Sequence, residues 1–224
     1  MKPIRFAALA LVAAFSLAAG PAANWNTVVA RTPTGANILG NPAAKVLLTE
    51  YASYTCPHCA DFEREAGGAL RLAYVYPGKM RWEIRNYVRD PVDLAWAMAA
   101  NCGPKEKFFL NNAAIFGSQK VWSKPMTTAT EAQSVRWRNP DLAQRNRAIA
   151  ADFKIFEIMA TRGYDRQTMD RCLTDKALEA RLAAQTDAAD AAGIDSTPSF
   201  AIDEEVLVGT HSWDLLAPQL AARF

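Results

Sequence analysis

Apolar and polar positions along this chain divide it into three blocks. In the first, residues 45–52 (Lys-Val-Leu-Leu-Thr-Glu-Tyr-Ala) form a nearly unbroken apolar run of strand length, the pattern of a strand covered on both faces. A turn at Ser53-Tyr54-Thr55 leads into a helix at Cys56-Pro57, because proline in the first helical turn gives up only a donor that would be unpaired anyway. The helix is expected to run through Phe62 and Leu70 towards Tyr74. After a turn at Pro77-Gly78, Met80, Trp82, Ile84 and Asn86 alternate with Arg81, Glu83, Arg85 and Tyr87, which predicts a strand with one apolar face. Strand, helix and strand in this order imply a βαβ unit, for which a right-handed crossover is expected. Upstream, residues 24–42 are rich in Gly, Pro, Asn and Thr and read as a lead-in loop with a short strand at Thr27-Val28-Val29.

From 91 to 192 the period becomes helical almost throughout. Helices are predicted over 91–102, 104–116, 140–162, 165–172 and 175–192. Proline opens three of them, and Gly163 and Gly193 follow two ends, the usual asymmetry of helix starts and stops. The pattern leaves 117–139 unassigned between loop and short helix. After Gly193 the strand pattern returns: Ser199-Phe200-Ala201-Ile202 and Val206-Leu207-Val208 predict a hairpin around Asp203-Glu204-Glu205. Ser212 then caps a terminal helix through Trp213, Leu215, Leu216 and Leu220, bent or shortened by Pro218. The expected organisation is an α/β domain over 24–90 and 193–224, interrupted by a helical insertion over 91–192. A long insertion at a loop adds little closure entropy.

With half of its 224 residues hydrophobic, the chain can bury a core without a disulfide scaffold, and four cysteines are too few for one. The net charge of +2 comes from acids and bases scattered along the chain, with no basic run to grip nucleic acid or an anionic membrane. At the N-terminus, Lys2 and Arg5 precede an apolar stretch over 6–19 and the small residues Ala18-Ala19-Gly20-Pro21-Ala22-Ala23. This is the layout of a secretory signal peptide over 1–23, cleaved near 19–23. A retained anchor is the alternative, but Gly20-Pro21 breaks the helix before the roughly 20 apolar residues a bilayer needs. Export places the mature chain where disulfides persist.

Cys56-Pro57-His58-Cys59 falls where the buried strand runs into its helix. Residues i and i+3 share a helix face about 5–6 Å apart at Cβ, close to disulfide reach. Cys56 at the helix N-terminus meets unpaired N–H groups and the positive end of the helix dipole, which favour a thiolate. That preference stabilises the reduced form and makes the disulfide oxidising. His58 could add a hydrogen bond or a charge near the Cys56 sulfur. Cys59, deeper in the helix, is expected to be the resolving thiol. A zinc site would need further ligands, and the remaining cysteines lack that spacing while His211 is the one other histidine. Cys102 and Cys172 end two predicted helices of the insertion. With Cys56 and Cys59 paired in chemistry, a structural Cys102–Cys172 disulfide is expected, two separate buried thiols being the alternative. His211 reads as a solvated loop residue.

The segment 50–59, Glu50-Tyr51-Ala52-Ser53-Tyr54-Thr55-Cys56-Pro57-His58-Cys59, resembles the active-site segment of DsbA-like periplasmic oxidases, a thioredoxin-fold family. Gly193-Ile194-Asp195-Ser196-Thr197-Pro198-Ser199-Phe200 is similar to that family's second signature. The likeness covers most of the mature chain and implies a thioredoxin-like fold with a large all-helical insertion. It also implies a cis Pro198 facing the cysteines, Cys56 as the substrate-facing nucleophile, and a Thr197 backbone that pairs with substrate peptide. Glu50 would handle the proton of Cys59 if buried, and would have no such role if it faced water at the strand end.

These expectations describe an exported, periplasmic thiol–disulfide oxidoreductase, a dithiol oxidase without metal or organic cofactor. It would act as a monomer on unfolded or reduced secreted proteins and be reoxidised by a membrane redox partner. Threonine before the proline is similar to the isomerase branch, so a disulfide isomerase or reductase is the runner-up. A periplasmic metal-handling or chaperone-like binder is a third reading, thinly supported for want of further His, Cys or Met clusters.

Overall fold

The structure, a computed structural model, describes residues 24–224; the expected signal peptide over 1–23 lies outside them. A six-stranded mixed sheet forms its centre, built from β1 (Val29–Arg31), β2 (Asn37–Gly40), β3 (Val46–Ala52), β4 (Met80–Asn86), β5 (Ser199–Ile202) and β6 (Glu205–Val206). Their spatial order is β1-β2-β4-β3-β5-β6, and only β3 and β4 run parallel. The crossover between them is α1 (Pro57–Ala69), which ends in a wider π-helical turn over Leu70–Val75. Between β4 and β5 lie α2 (Pro91–Ala100), α3 (Phe108–Gly117), α4 (Gln119–Trp122), α5 (Pro125–Thr128), α6 (Glu131–Trp137) and α7 (Leu142–Asp152). They are followed by α8 (Ile155–Ala160), α9 (Arg166–Leu173) and α10 (Lys176–Ala191), and α11 (Trp213–Ala221) closes the chain. This is an α/β fold with a large all-helical insertion.

Alternation along β3 sorts its side chains onto two covered faces. Leu48, Glu50 and Ala52 point into the main core, where Glu50 stands between Ile84 of β4 and Phe200 of β5. Thr49 and Tyr51 point to the other face, where Tyr51, Ala189, Ile194 and Ala201 form a smaller core under α10. β4 keeps the apolar face its alternation predicted, with Met80, Trp82 and Ile84 in the main core, while its polar face lies on the second covered side. Glu83 is buried there, accepting from the Thr49 hydroxyl at 2.9 Å and pairing with Arg85 at 2.8 Å.

Several boundaries differ from the sequence expectation. Residues 24–42 hold the β1–β2 hairpin as well as a loop, and Trp25–Thr27 is a short 3-10 turn, so the first strand begins at Val29 rather than Thr27. The helix expected over 140–162 is broken between α7 and α8, where Lys154 takes a left-handed φ of 61°. Burial of Phe153, Ile155 and Phe156 on both sides holds this break in a segment with no glycine or proline. The unassigned stretch 117–139 contains α4, α5 and α6, the last with a Thr130–Gln133 capping box. The second hairpin strand ends at Val206 instead of Val208, and the hairpin turns on Asp203 and Glu204, both left-handed. Cys102, just past α2, and Cys172, in the last turn of α9, are joined, with sulfurs 2.01 Å and Cα atoms 5.5 Å apart.

Candidate active site

Cys56 is the N-cap residue of α1, with extended backbone and Pro57 beginning the helix. Its thiol is not consumed in capping, so the sulfur stays at the end of the helix near the first-turn N–H groups. Both Cys56 and Cys59 are unbonded thiols here. The Cys56 thiol is pulled down from 9.0 to about 5, first by a hydrogen bond from Cys59, then by the Thr197 side chain and the backbone N–H groups of Cys59 and His58, against the opposing effect of burial. Burial drives Cys59 the other way, well above the usual thiol range, and the neighbouring Cys56 sulfur and Glu50 add to it. One helix turn thus holds one thiol ready to ionise and its partner protonated.

Facing the pair is the loop before β5. The Thr197–Pro198 peptide is cis. Cys56 Sγ lies 3.1 Å from the Thr197 carbonyl oxygen, to which the thiol form donates. The Thr197 hydroxyl is buried without another partner. Only 2% of Cys56 is exposed, and the residue borders a hollow of about 410 Å³. Tyr87, Arg89, Asp195 and Thr197 line that hollow with the cysteine. His58 is exposed beside it, and its backbone N–H rather than its ring serves the Cys56 sulfur.

Glu50 does not face water: it is 1% exposed beneath the cysteines. Burial and the nearby Glu63 push its carboxyl well above the ordinary range, only partly offset by the Trp82 indole N–H, which donates at 3.2 Å. A carboxyl raised in this way is suited to exchanging a proton with a buried thiol. Glu63, itself buried, pairs with Arg71 at 2.9 Å and accepts from Asn112 at 3.2 Å.

Two residues that sequence reasoning missed brace the turn leading to Cys56. Gln119, the first residue of α4, donates to the carbonyls of Tyr54 at 2.7 Å and Cys56 at 2.8 Å. Asp93, in the first turn of α2, accepts from the Ser53 hydroxyl at 2.6 Å, the Tyr54 N–H at 2.7 Å and the Arg89 N–H at 3.0 Å. Burial raises Asp93 to about 7 despite these donors. Both residues come from the insertion, and nothing in the local sequence around either announces its partner. Among the described residues no group of three or more His, Cys, Asp or Glu is placed to hold a metal ion.

Comparison with known proteins agrees with this fold. The thioredoxin family model covers residues 32–221. The crystal structure of a protein-disulfide isomerase from Novosphingobium aromaticivorans is 50% identical, covering 84% of this chain and 96% of that one, with a TM-score of 0.81. Wolbachia pipientis alpha-DsbA1 shares the fold at 23% identity and a TM-score of 0.64, over 83% of this chain and 88% of its own. A Rickettsia typhi protein provisionally named a protein-disulfide oxidoreductase is 32% identical over 87 residues, 38% of this chain and 32% of the relative. Matches to the curated Rickettsia relatives span between 31% and 57% of those relatives' lengths. The family model spans most of the chain and the fold is shared with alpha-DsbA1: the chain belongs to the thioredoxin family.

Proposed function

We propose that this protein is an exported thiol–disulfide oxidoreductase that donates its Cys56–Cys59 disulfide to reduced secreted proteins. The observation that carries the reading is the opposed state of the two thiols, with Cys56 down at about 5 and Cys59 well above the usual range. In the oxidising direction a substrate thiolate attacks Cys56 Sγ, the Cys56–Cys59 bond breaks, and Cys59 leaves as a thiol that takes its proton from Glu50. A second substrate thiolate then attacks the substrate sulfur of the mixed disulfide and expels Cys56 as a thiolate. Two electrons pass from substrate to protein, and no cofactor takes part. A thiol ionising near 5 instead of 9.0 favours the reduced protein at pH 7 by about 3 kcal/mol, which makes its disulfide about 60 mV more oxidising.

The hollow beside Cys56 is where substrate chain would lie, with Thr197 and Pro198 offering backbone to an extended peptide. Periplasmic export is supported by the pattern over 1–23 and by the Cys102–Cys172 bond, which belongs in an oxidising compartment. Repeated turnover as an oxidase calls for a membrane partner that restores the disulfide.

An isomerase is the second reading. It is favoured by Thr197 before the proline and by the name of the 50%-identical Novosphingobium structure, a protein-disulfide isomerase. In that direction the Cys56 thiolate attacks a substrate disulfide, and Cys59 resolves complexes that stall. The equilibrium constant of Cys56–Cys59 with glutathione separates the two: a strongly oxidising value is expected, and a thioredoxin-like value would falsify the oxidase reading.

A further inference from the structure

At the active-site end, the sheet is completed by a side chain. β5 and β6 pair antiparallel, Ile202 opposite Glu205 and Ala201 opposite Val206, and Leu207 N–H donates to the Phe200 carbonyl at 2.8 Å. Two residues farther on, the ladder would bring the Gly209 N–H to the Pro198 carbonyl. The chain leaves the sheet first: Thr210 N–H donates back to the Leu207 carbonyl at 3.1 Å, and Gly209 takes a φ of 75°. His211 Nδ1 lies 2.9 Å from the Pro198 oxygen instead, with Ser199 Oγ 3.4 Å from the same nitrogen. A carbonyl only accepts, so Nδ1 carries the hydrogen.

We propose that His211 is a positioning residue for disulfide exchange, its imidazole replacing a missing strand hydrogen bond to Pro198 and so fixing the Thr197 peptide against the Cys56 sulfur. The proposal rests on the reading of Cys56 as the exchanging thiol. The clamped oxygen is one residue along from the Thr197 carbonyl, which lies 3.1 Å from Sγ, so displacement of one carries the other. On the opposite side the Ser199 hydroxyl fastens the loop by donating to the Ser196 carbonyl at 2.8 Å, which leaves His211 to set the remaining freedom. The ring itself borders a hollow of about 190 Å³ shared with His58, Phe62 and Trp213, and so stands between the loop and the start of α1.

The variants His211→Ala, His211→Asn and His211→Gln of the full chain test this. Asparagine presents its amide nitrogen at the reach of Nδ1; glutamine carries it one carbon farther. Loss of a single loop hydrogen bond is a change of up to about tenfold. His211→Ala is therefore expected to raise the KM for a dithiol peptide about fivefold while kcat stays within about twofold. It should also raise the midpoint of Cys56 thiolate absorbance in the reduced protein by about half a pH unit, as the Thr197 side chain, whose hydrogen bond favours the thiolate, loosens from the sulfur with its peptide. His211→Asn restores both quantities and His211→Gln does not. An alanine variant with wild-type KM and midpoint overturns the clamp, as does an asparagine variant no better than alanine at equal thermal stability. If the alanine variant does not fold, equal midpoints in the asparagine and glutamine variants overturn it. A wild-type protein that exchanges no disulfides would sink the functional reading instead, and the absorbance midpoint, which needs no turnover, would still decide the clamp.

Discussion

At Cys56 the donors of the first helical turn, the Cys59 thiol and Thr197 all act on one sulfur, and together they outweigh burial. The consequence can be read as a slope. Reducing the disulfide takes up two protons below about pH 5, and one above it, because Cys56 then remains a thiolate while Cys59 stays protonated. A lowered thiol favours the reduced form increasingly as pH rises from 5 towards 9. The midpoint potential should accordingly fall by about 59 mV per pH unit below about pH 5 and by about 30 mV per unit between pH 6 and 8. Protein-film voltammetry or glutathione equilibria across pH measure this, and a 59 mV slope at pH 7 contradicts it. Glu50 acts at the other thiol. Glu50→Gln removes its titrating proton while keeping its shape, and should slow attack by Cys59 on a Cys56–glutathione mixed disulfide about tenfold at pH 7. The Cys56 midpoint should stay within about half a unit, and stopped-flow mixing reads both. The two cysteines and their order were legible in the sequence because helix polarity acts locally, whereas the sequence left Glu50 open between a buried and a solvent-facing position. Glu63, Asp93 and Gln119 were not legible, because their partners, apart from Arg89 four residues from Asp93, lie between 8 and 65 residues away, and only the packed fold brings them together.

Elements of the insertion hold the active-site turn. Helices α2 and α4 each send one polar side chain to the turn between Ser53 and Cys56, so a chain segment between two rigid elements is tied at the Ser53 hydroxyl, the Tyr54 N–H and the Tyr54 and Cys56 carbonyls. Gln119→Ala leaves two buried carbonyls without that donor and should cost about 1–3 kcal/mol of stability, measured by denaturant unfolding. Unchanged stability would mean that the turn holds itself. The long elements were legible: β3, β4, α1, α2, α9 and α10 lie within a few residues of their predicted places. The short ones were not. β2 is four residues between a Thr-Pro-Thr-Gly turn and Pro42, and gains strand geometry by pairing with β4 rather than from its own composition. Likewise the left-handed Lys154 follows from packing on both sides, against a sequence that reads as continuous helix.

On the scale of the whole molecule, stability comes from a core that spans sheet and insertion, with buried carboxyls as a standing cost. Asp93 is raised to about 7, and Glu50 and Glu63 are raised as well. An acid with a raised folded pKa binds its proton more tightly when folded, so its contribution is greatest at low pH and is lost as pH rises through the folded value. The oxidised protein, in which Cys56 does not titrate, should therefore melt at least about 5 °C higher at pH 5 than at pH 8, and Asp93→Asn should flatten part of that difference. Calorimetry that finds no difference, or the reverse, contradicts the burial of these acids. The Cys102–Cys172 bond closes a separation of 70 residues within the insertion. Replacing both cysteines by serine should lower stability by about 2–4 kcal/mol and leave the Cys56 ionisation in place.

The central claim is that the sulfur at 56 is a thiolate at neutral pH while that at 59 is not. Thiolate absorbance of the reduced protein, titrated from pH 3 to 9 and compared with a Cys56→Ser variant, tests it most directly. A single transition near pH 5 that disappears in the variant is the predicted result. A transition near 8.5, the value of a free cysteine, would contradict the account.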